Sequence, residues 1–385
     1  MIFDSESVFE ENVITVLKQH GWKDGVLRYP TERDLLDNWK GILYRNNNDI
    51  DRLGKYPLTD GEMTQIIEQI ETLRTPLALN SFVNGRTVSI TRDNKEDVAH
   101  FGKEVSLYIY DRKEIAGGKS TYQIVQQPVY PAKSTMLSSR RGDLVLLING
   151  MPLIHIELKK SGIPVSQATN QIEKYAHEGV FTGLFRLVQI FVAMNPDDAV
   201  YFANPGVDKF NPSYYFHWAD YNNEPICGGQ NPGKDEWKLF IGGTSGTAGL
   251  LSIPMAHQLI GFYTIADSAD GCLKVLRSYQ YIAANAISDV VRKCDWEQRP
   301  ATPGRPGGYV WHTTGSGKTM TSFKSAQLIA DSHDADKVVF LMDRIELGTQ
   351  SLKEYRSFAD SETEVQGTEN TGVLRDKLNS TNVND

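Results

Sequence analysis

The stretch Arg140-Arg-Gly-Asp-Leu-Val-Leu-Leu-Ile-Asn-Gly-Met-Pro-Leu-Ile-His-Ile-Glu-Leu-Lys-Lys160 sets two apolar runs on either side of Asn149-Gly150. An Asn-Gly pair between apolar runs signals a hairpin, because both residues tolerate the positive φ of a tight primed turn. On the second run, alternation separates two faces. Ile154, Ile156 and Leu158 point one way, and His155, Glu157 and Lys159 the other. Three ionisable groups on one face of a core strand are costly unless they bind something. Register decides whether Asp143 joins them. A strict two-residue turn sets Asp143 opposite Ile156, away from Glu157. A three-residue connection with a glycine bulge sets Asp143 opposite Glu157 on one face, and this second register is expected. Two carboxylates and a lysine at the ends of two strands suit metal-dependent phosphodiester cleavage. Asp143 and Glu157 are hard oxygen ligands for Mg2+, the metal polarises phosphate and acidifies water, and Lys159 offsets charge that builds in the transition state.

Around this hairpin the periodicity alternates between helix and strand. Residues 166–177 form an expected helix on which Gln171 and Tyr175, at i and i+4, share a face. Upstream, residues 5–20 read as an amphipathic helix capped by Ser5 or Ser7, with Phe9, Val13, Val16 and Leu17 on one face. Glu10 lies on that helix and is expected on its solvated face, an acid near a metal being the other reading. Helices are expected over 32–45 and 59–74, the latter capped by Thr59 or Asp60. Strands are expected over 86–92, 105–110, 122–130, 187–194 and 200–203. Residues 204–250 are rich in Gly, Pro and Asn, and the domain junction is expected within them. Arg140, Arg141, Lys160 and Lys174 cluster around the acidic motif, either as phosphate contacts or as a solvated basic patch. His155 is expected to support the site rather than to catalyse.

A second chemical centre is Tyr309-Val-Trp-His-Thr-Thr-Gly-Ser-Gly-Lys-Thr319. It reads as an apolar strand, a glycine-rich turn and a helix start. Gly315 and Gly317 let consecutive N–H groups point inward, and the helix N-terminus adds its dipole. Lys318 reaches β/γ-phosphates and Thr319 can ligate Mg2+. His312 stands where a Walker pattern usually has its first Gly. A helix is expected over 277–292, the Gly/Pro-rich stretch 299–308 leads into the loop, and 337–343 is expected as a buried parallel strand. Together these make a βαβ unit and a parallel sheet.

Composition agrees with a globular chain. Of 385 residues, 40% are apolar and 23% charged, and the length predicts two or three domains. No apolar run approaches the roughly 18–20 residues that span a membrane. The acidic start (Asp4, Glu6, Glu10, Glu11) is unlike a signal or transit peptide. Three cysteines without CxxC spacing predict a reducing, cytoplasmic setting and no zinc site. The net charge of −8 requires any nucleic acid to meet a local basic cleft.

With both centres in hand, the chain resembles the motor and restriction (R) subunit of type I restriction enzymes, over essentially its whole length and with the elements in the family's order. Asp143 and Glu157-Leu-Lys159 resemble the PD-(D/E)xK nuclease motif, and Gln171 and Tyr175 its QxxxY element. Gln280 resembles the adenine-reading glutamine of superfamily 2 helicases. Trp311 to Thr319 resembles helicase motif I, in which His at the first position is not unusual for this family. Asp343-Arg344, Leu347 and Gln350 resemble motif Ia. The resemblance implies an α/β architecture: a nuclease-like domain over 1–250, then the front part of a RecA-like parallel-sheet domain over 251–385. It implies catalytic roles for Asp143, Glu157, Lys159, Gln171 and Tyr175. It implies ATP binding by Gln280, Thr314, Gly315, Ser316, Gly317, Lys318 and Thr319, and Mg2+ ligation by Asp143, Glu157 and Thr319. The partners implied are double-stranded DNA and the methyltransferase (M) and specificity (S) subunits. Nothing after Asp343 resembles a DEAx box, so these residues are expected to be an N-terminal portion with weak or absent ATP turnover. Two other readings stand beside this one: a docking module inactive on its own, and another phosphate-loop ATPase whose acid cluster is structural.

Overall fold

The computed structural model describes residues 2–115, 117–130, 140–294, 307–359, 365–368 and 370–381. Most of the Gly/Pro-rich stretch before the phosphate loop, 299–306, lies outside them. Two compact units make up the chain: Met1–Thr264 with Gly271–Val275, and Ile265–Asp270 with Leu276–Asp385.

The first unit opens with α1 (Glu6–Gln19), β1 (Val26–Arg28), α2 (Glu32–Asn46), α3 (Asp60–Thr72), α4 (Pro76–Asn84), β2 (Thr87–Thr91) and β3 (Glu104–Tyr108). It continues with β4 (Tyr122–Gln126), β5 (Leu144–Ile148), β6 (Met151–Leu158), α5 (Val165–Glu178), β7 (Ile190–Met194), β8 (Ala199–Ala203), α6 (Glu236–Gly242) and α7 (Met255–Gly261). β9 (Thr264–Asp267) and β10 (Cys272–Val275) follow. Side chains close the helix starts, at Ser5 and Thr59 as expected and at Thr31 besides. Ser5 Oγ accepts the Val8 N–H, and Thr31 and Thr59 form capping boxes with Asp34 and Glu62.

One mixed sheet runs β1-β4-β5-β6-β7-β8. β1/β4 and β6/β7 are parallel and the remaining pairs antiparallel. β5 (LVLLI) and β7 (IFVAM) are buried throughout. Their lack of alternation is what a strand covered on both faces requires. α5 packs across β6 and β7, where Ala168 and Ile172 meet Phe191, Ala193, Val200 and Phe202. The stretch 204–250 folds with this unit: Trp237 of α6 sets its ring edge-on to Phe3 and Phe9, with centroids 6.0 and 5.2 Å away.

The expected register is present, but the extra residue sits elsewhere. The turn is two-residue, with Asn149 and Gly150 at φ 52° and 84° and Ile148 opposite Met151. The shift comes between Leu146 and Leu147, which pair with Ile154 and Pro152 and leave Leu153 as a bulge inside β6. Leu144 therefore faces Ile156, and the ladder extrapolates to Asp143 beside Glu157. β4 ends at Gln126, short of the expected 130, because Gln127 turns to φ 49°. β7 begins at Ile190, and Gly183–Leu187 is a 3-10 turn.

In the second unit α8 (Ser278–Lys293) and α10 (Ile345–Phe358) each pack on α9 (Lys318–Asp331), and α11 (Thr371–Asn379) follows. The expected strands at 309–312 and 337–343 do not form: both stretches are irregular. A parallel strand satisfies its backbone only through neighbours on the ladder, and among the described residues none lies beside either stretch. Their apolar side chains stay exposed, Trp311 and Leu341 each at 88%. Among the described residues, no helix is long and apolar enough to cross a membrane.

Candidate active site

The end of the β5–β6 hairpin brings the acids together. Asp143 closes the approach to β5, its Oδ2 accepting the Leu158 N–H at 2.7 Å and its carbonyl the Gln127 N–H at 2.7 Å. Glu157, on β6, is fully buried. His155 Nε2 lies 3.0 Å from Glu157 Oε1, while Oε2 is buried without a hydrogen-bond donor. Lys159 is buried as well; its Nζ donates to the Leu158 carbonyl at 2.8 Å and lies 3.6 Å from Glu6. Burial, then the Glu157 carboxyl, raises Asp143 well above the usual carboxylate range. Burial likewise pushes Glu157 up to about 8, against hydrogen bonding from Asp143 and the pull of Lys159. The two carboxyls compete for the same proton, as a close buried pair does.

Glu10 corrects an expectation. It is buried rather than solvated, accepting from the Gln126 and Gln127 side-chain amides. Burial raises its pKa, and Asp143 adds to the rise, so α1 contributes an acid to the same neighbourhood. The signal was in the helix period: Val13, Ile14 and Leu17, all buried, stand three, four and seven residues on.

Gln171 and Tyr175 do meet, but inward. Gln171 Nε2 donates to the Tyr175 hydroxyl at 2.7 Å, which donates to the Arg141 carbonyl at 2.8 Å. The pair ties α5 to the backbone two residues before Asp143. His155 is wholly buried, with Nδ1 2.9 Å from the Tyr130 hydroxyl, and burial pushes it down to about 4, so it is neutral at pH 7. Gly142 is required here. A Cβ would stand 2.6 Å from the Tyr130 hydroxyl and 2.9 Å from His155 Cε1. No sequence signal marked Tyr130, Gln126 or Gln127. Of the basic residues, Arg140 is committed to Glu178 through two 2.9 Å bonds, with Lys174 3.9 Å from the same acid. Lys160 reaches the Asp4 carbonyl at 3.3 Å, and Arg141 lies over the Tyr29 ring at 6.0 Å.

The site could hold one hard cation. Among the described residues no group of three or more His, Cys, Asp and Glu converges as a metal cage. Mg2+ needs no such cage, since it keeps several waters and uses one or two carboxylates. The buried, donorless Glu157 Oε2 beside Asp143 supplies that donor set.

In the second unit Gly315 and Gly317 adopt φ 78° and 81°, and α9 begins at Lys318. Thr314 and Gly315 are exposed, as is Lys318, whose Nζ donates to the Thr313 carbonyl at 3.1 Å; Thr319 is half-buried. Gln280 is turned to the loop itself. Its Nε2 donates to the Gly317 carbonyl at 3.1 Å, and its Oε1 accepts the Arg277 N–H at 3.0 Å. The neighbouring Tyr279 hydroxyl donates to the Ser316 carbonyl at 2.8 Å. Neither end of the Gln280 amide is free for a base in this state.

Comparison with known proteins places the chain. The family described as type I restriction enzyme R protein N terminus matches residues 4–210, and the SWI2/SNF2 ATPase family matches 279–384. The chain is 31% identical over 386 residues to the type I restriction enzyme SsaAORF53P endonuclease subunit of Staphylococcus saprophyticus, covering 98% of this chain and 36% of that relative. It is 32% identical over 381 residues to the SauMSSORF170P endonuclease subunit of Staphylococcus aureus, with the same coverage of 98% and 36%. The EcoprrI endonuclease subunit of Escherichia coli is 26% identical over 321 residues, 80% of this chain and 90% of that relative. The chain thus spans about a third of the length of the Staphylococcus relatives, 36%. A buried acid pair in the first unit and a glycine-rich loop in the second meet these matches at the level of the whole chain, which belongs to the type I restriction enzyme R protein family and corresponds to the N-terminal part of an R subunit carrying a SWI2/SNF2-like ATPase segment.

Proposed function

We propose that the first unit is a PD-(D/E)xK nuclease that cuts double-stranded DNA with Mg2+, without sequence preference of its own. The observation that carries this reading is the buried, donorless Glu157 Oε2 next to Asp143, with Lys159 on the same strand. A buried carboxyl oxygen without a donor is costly once ionised, and a cation arriving there would offset that cost. Asp143 and Glu157 would hold the divalent cation, and Glu10 stands by as a further acid. Bound there, Mg2+ supplies Lewis acidity toward a phosphodiester oxygen and lowers the pKa of a coordinated water. Lys159 sets positive charge beside the carboxyls. Gln171 and Tyr175 act by fixing the backbone at Arg141, and with it the approach to Asp143.

In the second unit the curled loop from Thr314 to Thr319 would cradle the phosphates of ATP, with Lys318 on the β/γ-phosphates and Thr319 on their Mg2+. Gln280 would read adenine after releasing the Gly317 carbonyl. Within the full-length subunit, ATP-driven translocation along DNA would precede cleavage, with M and S subunits as partners, in the cytoplasm.

The test is made in the full-length R subunit assembled with its M and S partners. Asp143→Ala or Glu157→Ala abolishes DNA cutting and leaves DNA-dependent ATP hydrolysis in place. Cutting that survives both substitutions would sink the assignment.

A further inference from the structure

Glu157 has two oxygens in different circumstances, and the difference traces to His155 and Tyr130. His155 lies 3.0 Å from Oε1 through Nε2, and its Nδ1 lies 2.9 Å from the Tyr130 hydroxyl. Both nitrogens of a fully buried imidazole are thereby satisfied. When Glu157 is ionised to hold a cation it only accepts, so Nε2 then carries the proton and Nδ1 accepts the Tyr130 O–H. The ring is caged by Phe181 and Phe191, whose centroids lie 5.3 and 6.0 Å away. Tyr130 is fixed in turn, its ring 4.6 Å from that of Phe185 and its N–H donating to the Arg140 carbonyl at 2.9 Å. Packing alone would not select this arrangement. An apolar side chain at 155 would fill the space without the cost of burying two polar nitrogens.

We propose that Tyr130 and His155 form a buried hydrogen-bond relay that spends Glu157 Oε1 inside the protein, so that Oε2 alone is presented to the divalent cation. The relay makes His155 and Tyr130 positioning residues, and it rests on the metal-site reading of Asp143 and Glu157. It also gives the close approach at Gly142 a purpose, since any side chain there would displace both rings. Partners that orient a ligand from outside the coordination shell contribute about 10–100-fold to metal affinity.

The test titrates Mn2+ alone into the full chain, with free ion read by electron paramagnetic resonance and folding checked by thermal melts. Tyr130→Phe removes one oxygen atom and weakens Mn2+ by several-fold. His155→Leu weakens it about 10–100-fold, and His155→Gln, which keeps an N–H donor, recovers most of the loss. In the chain saturated with diamagnetic Mg2+, where Glu157 is ionised, 15N chemical shifts report the Nε2–H tautomer for His155. An Nδ1–H tautomer, or unchanged Mn2+ affinity in folded Tyr130→Phe and His155→Leu, overturns the relay. If Glu157→Gln loses Mn2+ while these variants keep it, the relay alone is wrong. If the unsubstituted chain takes up no Mn2+, the metal-site reading fails and the relay with it.

Discussion

Glu157 shows what burial does to a single carboxyl. Its pKa rises from 4.5 to about 8, with burial as the main cause. A carboxyl raised on folding contributes stability fully below its unfolded value and loses it as pH climbs through the folded one. The first unit is therefore strained, without divalent cation, between about pH 4.5 and 8, and most above 8. Glu157→Gln removes that strain. In EDTA its melting temperature matches the parent near pH 4.5 and exceeds it by several degrees at pH 8.5, a difference of a few kcal/mol at most. Saturating Mg2+ shrinks the gap by stabilising the parent alone. A gap that is the same at both pH values would count against the buried pair. The sequence showed the pair, because alternation on β6 separates His155, Glu157 and Lys159 from Ile154, Ile156 and Leu158. It did not show that His155 would take up one of the Glu157 oxygens, since the ring's other nitrogen is held by Tyr130, a residue that enters from beyond the end of β4.

At the scale of elements, the hairpin was legible in its outcome and not in its means. Asn149-Gly150 announced the turn, and the two-faced strand demanded one extra residue. Whether that residue sits in the turn or at Leu153 is decided by packing against neighbouring strands, which short-range pattern does not encode. The turn carries tertiary load as well. A Cβ on Gly150 would come within 2.7 Å of the side chain of buried Trp39 on α2, at a φ of 84° that side chains rarely adopt. Gly150→Ala should cost about 2 kcal/mol or more from strain and displacement together. It is read as a fall of several degrees in the melting temperature, with the Mn2+ affinity of the survivors reduced as the hairpin shifts. A neutral melt would mean that α2 yields freely at this point. The short helices α6 and α7 were illegible for a related reason. Each is seven residues long, too short for periodicity to show, and held by tertiary contacts such as Trp237 on Phe9.

Across the whole molecule the two units differ in how far their own residues complete them. The first closes a six-stranded sheet over buried strands. Among its described residues the second packs α8 and α10 on α9 and leaves apolar stretches at 309–311 and 338–341 exposed. The sequence announced those stretches as strands because apolar composition marks what a segment can become, while a ladder needs a neighbour to make it so. The phosphate loop nonetheless keeps its curl: Gly315 and Gly317 hold positive φ, and Tyr279 and Gln280 hold the Ser316 and Gly317 carbonyls from α8. Loop shape is thus set by local hydrogen bonds rather than by the sheet, and nucleotide binding is expected in this chain. A fluorescent ATP analogue with Mg2+ is expected to bind the chain. Lys318→Ala should weaken that binding at least tenfold, because it removes the charge aimed at the phosphates. In the full-length subunit the same substitution abolishes ATP hydrolysis and, with it, restriction, while leaving the fold of the first unit and its Mn2+ affinity unchanged. ATP hydrolysis that persists in Lys318→Ala would give the loop another role and would separate the nuclease reading of the first unit from the motor reading of the second.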